Sequence, residues 1–227
     1  MCPDINFFGN ILPNSLDVAI RKFRDCPWPH FDGFPDVYPN RILVSDFAVT
    51  LVMNSGIPMQ YAWEAVRRAD NTDDLLNNIP TDVRLEETVE DDDQVNWNAI
   101  DHLFLQLVGE KVRLSRIAKM MCRKRPYLIP MLDTYIWKYL DKIANAWREG
   151  SVNPPQWFDE SLWESWEYDM PSPYIRMIRH DMIKQVPVLE ELRGCLHEDE
   201  LTEVPRDASL LRIYEATLWR AIEEGLL

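Results

Sequence analysis

The helical character of this chain is clearest in residues 111–140, which read KVRLSRIAKMMCRKRPYLIPMLDTYIWKYL. Placed on a helix at roughly 100° per residue, the first part of this stretch separates into two faces. The apolar face carries Leu114, Ile117, Ala118, Met121 and Cys122. The opposite arc carries Arg113, Arg116, Lys119, Met120 and Arg123. Pro126 cannot continue this helix, and Asp133 stands where the next one begins. The stretch therefore predicts two helices joined by a short apolar connection.

Helical periodicity and capping residues continue on both sides of this stretch. The other predicted helices are one capped by Ser15, Asp46–Asn54, Met59–Ala69, Asp73–Leu76, one from Trp97 to near Gly109, Trp157–Tyr168, Tyr174–Gln185, Val188–Leu196 and Ser209–Glu224. We find no pair of strands with a hairpin signal. The sequence therefore predicts an all-α fold of about ten helices, with no β-sheet beyond an isolated bridge.

The length of 227 residues fits one large domain over residues 1–227. Residues 84–94 are a candidate meeting point of two helical lobes, because Glu86 to Asp93 holds six acidic side chains in eight positions. A second candidate connection is the polar loop 151–156, which contains two prolines. Neither segment is long enough to require separate domains.

The composition excludes several classes of protein. With 46% hydrophobic and 27% charged residues, the chain has a globular composition. It has no apolar run near the ~20 residues of a membrane helix and no basic segment at its start, so we expect a cytoplasmic protein without membrane partners. The seven glycines form no phosphate-binding loop, and we expect no cofactor.

The cysteines and histidines give no metal signature. The spacing of Cys2, Cys26, Cys122 and Cys195 matches no metal knuckle or redox pair, so we expect reduced thiols. The four histidines lack the spacing of a zinc enzyme. We therefore expect no metal site.

Charge is distributed unevenly along the chain. The formal net charge is −14, yet residues 111–125 hold seven basic side chains and no acidic one. One interpretation is that this basic face neutralises the acidic run at 86–93 within the same molecule. The other is a binding surface for phosphate or nucleic acid. Its candidate residues are Lys111, Arg113, Arg116, Lys119, Arg123, Lys124 and Arg125.

Asp133 is the candidate functional carboxylate. It follows a proline-bounded segment and begins a helix, so it can serve as an ordinary N-cap. The helix dipole favours its ionised form, and we expect ionisation near neutral pH. The alternative to a capping role is a carboxylate held beside a phosphate-binding helix. Any catalysis is expected to depend on Asp133.

Aromatic residues cluster once. The segment 157–168 contains Trp157, Phe158, Trp163, Trp166 and Tyr168. Packing between helices is the favoured interpretation, and a base-stacking pocket is the alternative.

The stretch from Arg123 to Asp133 resembles a family of bacterial proteins described as a domain of unknown function. Their shared stretch reads like Arg-Lys-Arg-Pro-x-Leu-Ile-Pro-x-x-Asp. Supporting similarities lie at Asn40–Ile42, Ser45–Thr50, Ile79–Val83 and Leu210–Ile213. The resemblance spans residues 38–222, and it implies no particular activity.

The order of helix, proline-bounded segment, Asp133 and helix also resembles the core of the helix-hairpin-helix DNA glycosylases. This resemblance implies that residues 111–113 form the hairpin, and that Asp133 stabilises the cationic sugar as a base leaves. The sequence departs from those enzymes because Lys111 and Arg113 occupy the positions of their hairpin glycines. Ser115 occupies the position of the catalytic lysine of their lyase members, so lyase chemistry is not expected.

Three classes of function remain open. The first is a nucleic-acid-binding or DNA-glycosylase-like protein, with DNA or another phosphate-bearing ligand as its partner. The second is a non-enzymatic acidic interaction protein with a protein partner. The third is an enzyme that binds a phosphorylated small molecule through Asp133 and the basic residues.

Overall fold

The computed structural model describes residues 2–26, 31, 34, 38–53, 57–68, 72–88, 94–156, 158, 170–198, 204–205 and 208–227. These ranges contain ten α-helices: α1 Ser15–Asp25, α2 Val44–Val49, α3 Met59–Arg68, α4 Thr72–Asn77, α5 Trp97–Leu107, α6 Leu114–Lys124, α7 Thr134–Arg148, α8 Ser172–Ile183, α9 Val186–Glu198 and α10 Leu210–Glu223. Short 3₁₀ turns lie at Thr50–Met53 and Leu85–Glu87. The helical prediction is therefore confirmed for these ranges, and the predicted helix Trp157–Tyr168 lies almost entirely outside them.

The caps of the helices agree with the sequence in part. Ser209 caps α10 by accepting a hydrogen bond from the Arg212 N–H at 3.1 Å. Ser15, in contrast, is the first residue of α1, and its hydroxyl donates to the Leu12 carbonyl at 2.6 Å. The cap expected from periodicity is displaced by one residue, because Ser15 is used to tie the preceding strand to the helix.

A small β-hairpin corrects the expectation of no sheet. Strands β1 (Ile5–Phe7) and β2 (Asn10–Leu12) pair antiparallel. Phe8 and Gly9 form a two-residue turn with φ of 50° and 91°, as a type I′ hairpin turn requires. The usual Asn-Gly or Asp-Gly signal is replaced by Phe-Gly, which is why the sequence pattern did not reveal the hairpin.

Cys2 and Cys195 form a disulfide, so the expectation of reduced thiols is wrong for this pair. Their Cα atoms are 6.6 Å apart, although 193 positions separate them in the chain. The bond ties the segment before β1 to helix α9. Sequence spacing could not reveal it because only the fold brings the two residues together.

Helix α10 lies at the centre of the packing. It contacts α1, α7 and α9, and its residues 210–218 are all buried. Helix α8 packs against α5 and α7, while α2 contacts α3 and α6. Buried apolar side chains from all ten helices form one continuous cluster. A single domain, with lobes that meet near 84–94, stays a prediction.

None of the helices in the described ranges is both long enough and apolar enough to cross a membrane.

A buried polar cluster attaches the hairpin to the helices. The Asp181 carboxylate accepts hydrogen bonds from the Tyr214 hydroxyl at 2.6 Å and from the Phe8 N–H at 3.0 Å. Gln185 donates to Asp181 and accepts from the Asn6 N–H at 2.6 Å. These bonds satisfy backbone groups of the hairpin that the two-stranded ladder leaves open. Burial raises the pKa of Asp181 to about 6, even though its hydrogen bonds act in the opposite direction.

We expect Asp181 to make stability fall as the pH rises from about 4 to about 6. In that window the folded protein holds a proton that the unfolded chain, with a pKa of 3.8, releases. A shift of this size corresponds to about 3 kcal/mol, most of which is lost by pH 6 and the rest as the pH rises further. Urea unfolding at several pH values should show a smaller decline for Asp181→Asn than for the wild type. Parallel curves for the two proteins would contradict this expectation.

Candidate functional site: Asp133 and its cavity

Asp133 is the N-cap of α7 and is held by three N–H groups. Its Oδ1 accepts from the backbone N–H groups of Tyr135 at 2.9 Å and Ile136 at 3.1 Å. Its Oδ2 accepts from the indole N–H of Trp219 on α10. The capping role expected from the sequence is confirmed. The additional bond to Trp219 fixes the carboxylate on both oxygens and leaves it 8% exposed.

Burial raises the pKa of Asp133 above its usual 3.8. The backbone and indole N–H groups, together with the charge of Lys119, lower the pKa, but burial is the largest influence. The sequence led us to expect that the helix end would favour the ionised form. The donors do favour it, yet removal of the carboxylate from water outweighs them.

The carboxylate lies at a cavity of about 440 Å³. Four helices and the 3₁₀ turn at 50–53 supply its walls, together with the connection before α7. The lining residues are Lys22, Asp25, Cys26, Met53, Ser115, Lys119, Met131, Asp133, Thr134, Tyr135, Ile136, Glu215, Trp219, Arg220 and Glu223. This volume lies within the range of pockets that hold small ligands.

Helix α6 contributes Ser115 and Lys119, which lie four residues apart and therefore on one face. The Lys119 ammonium donates to the Met53 carbonyl at 3.3 Å and is close enough to Asp133 to influence its pKa. The sequence predicted that Lys119 and Asp133 would serve one site, and the structure brings them together.

The connection before Asp133 is fixed from behind by α10. Glu215 accepts a hydrogen bond from the Met131 N–H at 2.6 Å and is also paired with Arg212. The Ser209 hydroxyl donates to the Pro126 carbonyl at 3.3 Å. Both bonds hold the start of α7 in place relative to α10, so the position of Asp133 is set by the core.

Lys22 and Trp219 form the part of the cavity nearest α1. The Lys22 ammonium lies 2.9 Å from the centre of the Trp219 ring, and the residue is only 6% exposed. Burial lowers the pKa of Lys22 from 10.5 to about 8, although the charges of Cys26, Asp133 and Glu223 act against this shift. The same indole therefore contacts an amine through its face and a carboxylate through its N–H.

Arg220 holds the acidic side chains at the edge of the cavity. It pairs with Asp25 and, at 2.9 Å, with Glu223. These pairs balance part of the negative charge around the entrance.

The structure separates the seven candidate basic residues into four groups. Lys111 and Arg113 are exposed at the start of α6, where Arg116 donates to the Lys111 carbonyl. Lys119 lines the cavity. Arg123 is half-buried and donates to the Phe34 carbonyl at 2.5 Å.

The fourth group corrects the expected binding surface, because Lys124 and Arg125 are buried. Lys124 pairs with Asp46 at 3.1 Å and donates to the Tyr38 carbonyl at 2.9 Å. Arg125 is 0% exposed and donates to five oxygen atoms of the protein. Both cations serve the interior of the protein, so neither is available to a ligand.

Two sequence features lie outside the described residues. They are the aromatic cluster 157–168, except for Phe158, and the acidic residues 90–93. Phe158 packs edge-on against Trp147 with ring centres 5.2 Å apart, which agrees with a packing role for that residue. Glu86 and Glu87 lie 3.7 and 3.8 Å from Arg84, so they interact with a neighbour rather than with the basic helix.

Sequence reasoning missed Lys22, Trp219 and Glu215. These residues lie far from Asp133 in the chain, and none of them belongs to the apolar face that the sequence predicts for its helix. The only local signal was a lysine among the apolar residues of α1. Within the described ranges, no group of three or more His, Cys, Asp or Glu side chains is arranged to hold a metal ion.

Comparisons with known proteins identify the family of the chain but no activity. No curated protein and no solved structure matches the chain significantly, so the resemblance to the DNA glycosylases has no support from them. A family model described as a family of unknown function, DUF6308, matches residues 19–222. The match includes most of α1 and α10, the basic helix α6 and Asp133, and the chain therefore belongs to the DUF6308 family.

Proposed function

We propose that this protein acts on nucleic acid in the manner of a DNA glycosylase, with the Asp133 cavity as the site that receives a nucleotide. The observation that carries this proposal is the Asp133 carboxylate, which three N–H groups fix at a cavity of about 440 Å³. Cleavage of a glycosidic bond develops positive charge on the sugar. A preorganised anion in a water-poor site stabilises such charge without reorganisation at the moment of reaction.

The walls of the cavity suit a flat, aromatic ligand. Tyr135 and Trp219 both line it, and their rings pack edge-on with centres 5.6 Å apart. Tyr135 is 47% exposed, so one aromatic surface remains accessible. Enzymes that act on a base extrude it into a pocket and stack it against aromatic side chains. Such a pocket needs no metal or cofactor.

The start of α6 supplies positive charge beside the cavity. Helices α5 and α6 are joined by a tight turn in which Gly109 and Val112 exchange backbone hydrogen bonds of 2.9 and 3.3 Å. Lys111 and Arg113 are exposed at this turn, and Ser115 and Lys119 follow on the cavity side. This arrangement supports a phosphate contact at the turn, as in a helix-hairpin-helix protein.

The proposal is tested by incubating the protein with oligonucleotides that carry damaged or modified bases. Single-stranded and duplex DNA with uracil, hypoxanthine, 8-oxoguanine or methylated adenine would be scored for abasic sites by alkaline cleavage. We expect base release from at least one substrate. If all of them remain intact and unbound at low salt, the non-enzymatic interaction protein becomes the leading interpretation.

Binding should depend on the exposed cations of the α5–α6 turn. We expect the double variant Lys111→Gln, Arg113→Gln to weaken binding of duplex DNA about tenfold at low salt, with a salt slope smaller by about 0.9 for each phosphate that is no longer neutralised. Fluorescence anisotropy at several salt concentrations measures both quantities. The double variant Lys138→Gln, Lys142→Gln is the matched control, because it also removes two positive charges and both lysines are exposed on α7. Equal loss in the control would show that only general charge matters.

A further inference from the structure

The amine of Lys22 has surroundings that no capping or packing role explains. The residue lies on α1 and is 6% exposed, yet it lines the cavity. Among the described residues, its ammonium group makes no hydrogen bond and no ion pair. Its one specific contact is the face of Trp219. A buried lysine normally requires an acidic partner or several acceptors.

The other buried lysine among the described residues, Lys124, shows the contacts of a lysine with a structural role. Lys124 has an ion pair with Asp46 and donates to the Tyr38 carbonyl. Its charge is therefore compensated by the fold. Lys22 lacks such compensation, although Asp25 and Glu223 line the same cavity. Both of these acids are paired with Arg220 instead.

We propose that Lys22 is a nucleophilic amine that forms an imine with an aldehyde or keto group of a ligand in the cavity. In this step the neutral nitrogen attacks the carbonyl carbon and forms a C–N bond. The electrons of the carbonyl double bond move to oxygen, which then leaves as water with the two protons that the nitrogen gives up. The product is a C=N bond between Lys22 and the ligand, and the step requires no oxidant or reductant.

The protonation state of Lys22 agrees with this role. Its pKa is lowered to about 8 by burial, so about a quarter of the amine is neutral at about pH 7.5. For an exposed lysine with an ordinary pKa of about 10.4, the neutral fraction is on the order of one in a thousand. The charges that act on Lys22 come from Cys26, Asp133, Glu223 and Arg220. The cavity further contains the charged side chains of Asp25, Lys119 and Glu215.

This inference goes beyond the proposed function, because the amine would react with a carbonyl ligand whether or not that ligand is a nucleic acid. It also differs from the sequence expectation, in which Ser115 at the lysine position excluded chemistry of this kind. The structure offers an amine on α1, from a much earlier part of the chain.

The test uses butanal, an uncharged aldehyde, with cyanoborohydride at about pH 7.5, where the hydride reagent converts each imine into a stable amine. Peptide mapping by mass spectrometry then compares Lys22 with the exposed Lys138 and Lys142 of the same molecule. We expect labelling at Lys22 to be at least about tenfold faster, and to level off above about pH 8 while the exposed lysines continue to gain reactivity. Labelling of Lys22 that is no faster than that of Lys138 would overturn the proposal.

Two matched variants complete the experiment. Lys22→Arg keeps a cation over Trp219 but offers no amine that forms an imine, so the fast labelling should disappear. Lys142→Arg makes the same substitution at an exposed position and should leave the fast labelling unchanged. If Lys22→Arg retains the fast reaction at another lysine of the cavity, the assignment to Lys22 is wrong. The comparison of labelling rates among Lys22, Lys138 and Lys142 in the wild-type protein tests the proposal even if a variant folds poorly.

Discussion

Replacement of Arg125 by alanine is expected to lower the free energy of unfolding by about 3–5 kcal/mol, a large part of the roughly 5–15 kcal/mol of a typical domain. The guanidinium of Arg125 is entirely buried and donates to five oxygen atoms. Four are backbone carbonyls, and the fifth is the amide oxygen of Asn40 at 2.8 Å. The carbonyl acceptors are Leu76, Ile79, Pro39 and Lys124.

Apart from the Lys124 carbonyl, these acceptors lie in two segments outside α6. Leu76 and Ile79 stand in and just after α4, while Pro39 and Asn40 precede α2. One planar guanidinium therefore ties the end of α6 to two neighbouring segments through its forked donors. Without it, several buried carbonyls lose a donor, and each such group costs about 1–3 kcal/mol unless water enters.

The comparison that isolates this effect uses two other variants and urea unfolding followed by circular dichroism. Arg125→Lys keeps the charge but cannot reach the same acceptors in one plane, so it should recover only part of the loss. Arg123→Ala removes a half-buried neighbour that donates to one carbonyl, and it should cost about 1 kcal/mol. Similar unfolding midpoints for Arg125→Ala and Arg123→Ala would refute the structural role assigned to Arg125.

The sequence could predict the helices because their signals are local. Asp133 and Ser209 stand at helix starts and accept N–H bonds there, as residues of their types do. The helix boundaries follow from apolar periodicity, which depends on neighbours three and four positions away. The sequence does not predict the Phe8–Gly9 turn. A type I′ turn requires a positive φ at both residues, and Phe is not a residue type that signals this conformation.

The burial of Lys124 and Arg125 could not be predicted from local sequence patterns. Lys124 and Arg125 belong to a run of basic residues that reads as a solvated or ligand-binding face. Their partners Asp46, Leu76 and Ile79 lie 46 to 78 positions earlier in the chain. The sequence of α6 contains no pattern that indicates those contacts, so it could not predict that Lys124 and Arg125 are buried.

The sequence could predict only part of the candidate site, because it reveals local patterns and not contacts between distant segments. Asp133 and Lys119 are separated by 14 positions, so the sequence could place them on neighbouring helices. Lys22 and Trp219 come from α1 and α10, near the two ends of the chain. The packing of α1 on α10, which the core determines, brings them to Asp133.

The last expected result concerns Asp133 itself. We expect Asp133→Asn to reduce base release at least about 10²-fold while the protein remains folded, because the substitution removes the anion and keeps the shape of the side chain. Asparagine still caps α7 well. Its amide group cannot accept the Trp219 N–H while its oxygen caps the helix, so we expect a moderate loss of stability of about 1–3 kcal/mol.

The matched control is Asp141→Asn, the same substitution on the same helix. The Asp141 carboxylate is partly buried, its pKa is raised by burial, and it accepts a hydrogen bond from the Tyr174 hydroxyl at 2.8 Å, but it does not line the cavity. If Asp133 is the anion that stabilises the sugar, Asp133→Asn loses activity and Asp141→Asn keeps it, although both variants lose a carboxylate whose pKa is raised by burial. If Asp133 is only a cap, the two variants should keep equal activity. Activity measured well below the unfolding temperature of each variant separates a chemical loss from an unfolded fraction, because a loss of about 1–3 kcal/mol leaves a domain of ordinary stability folded.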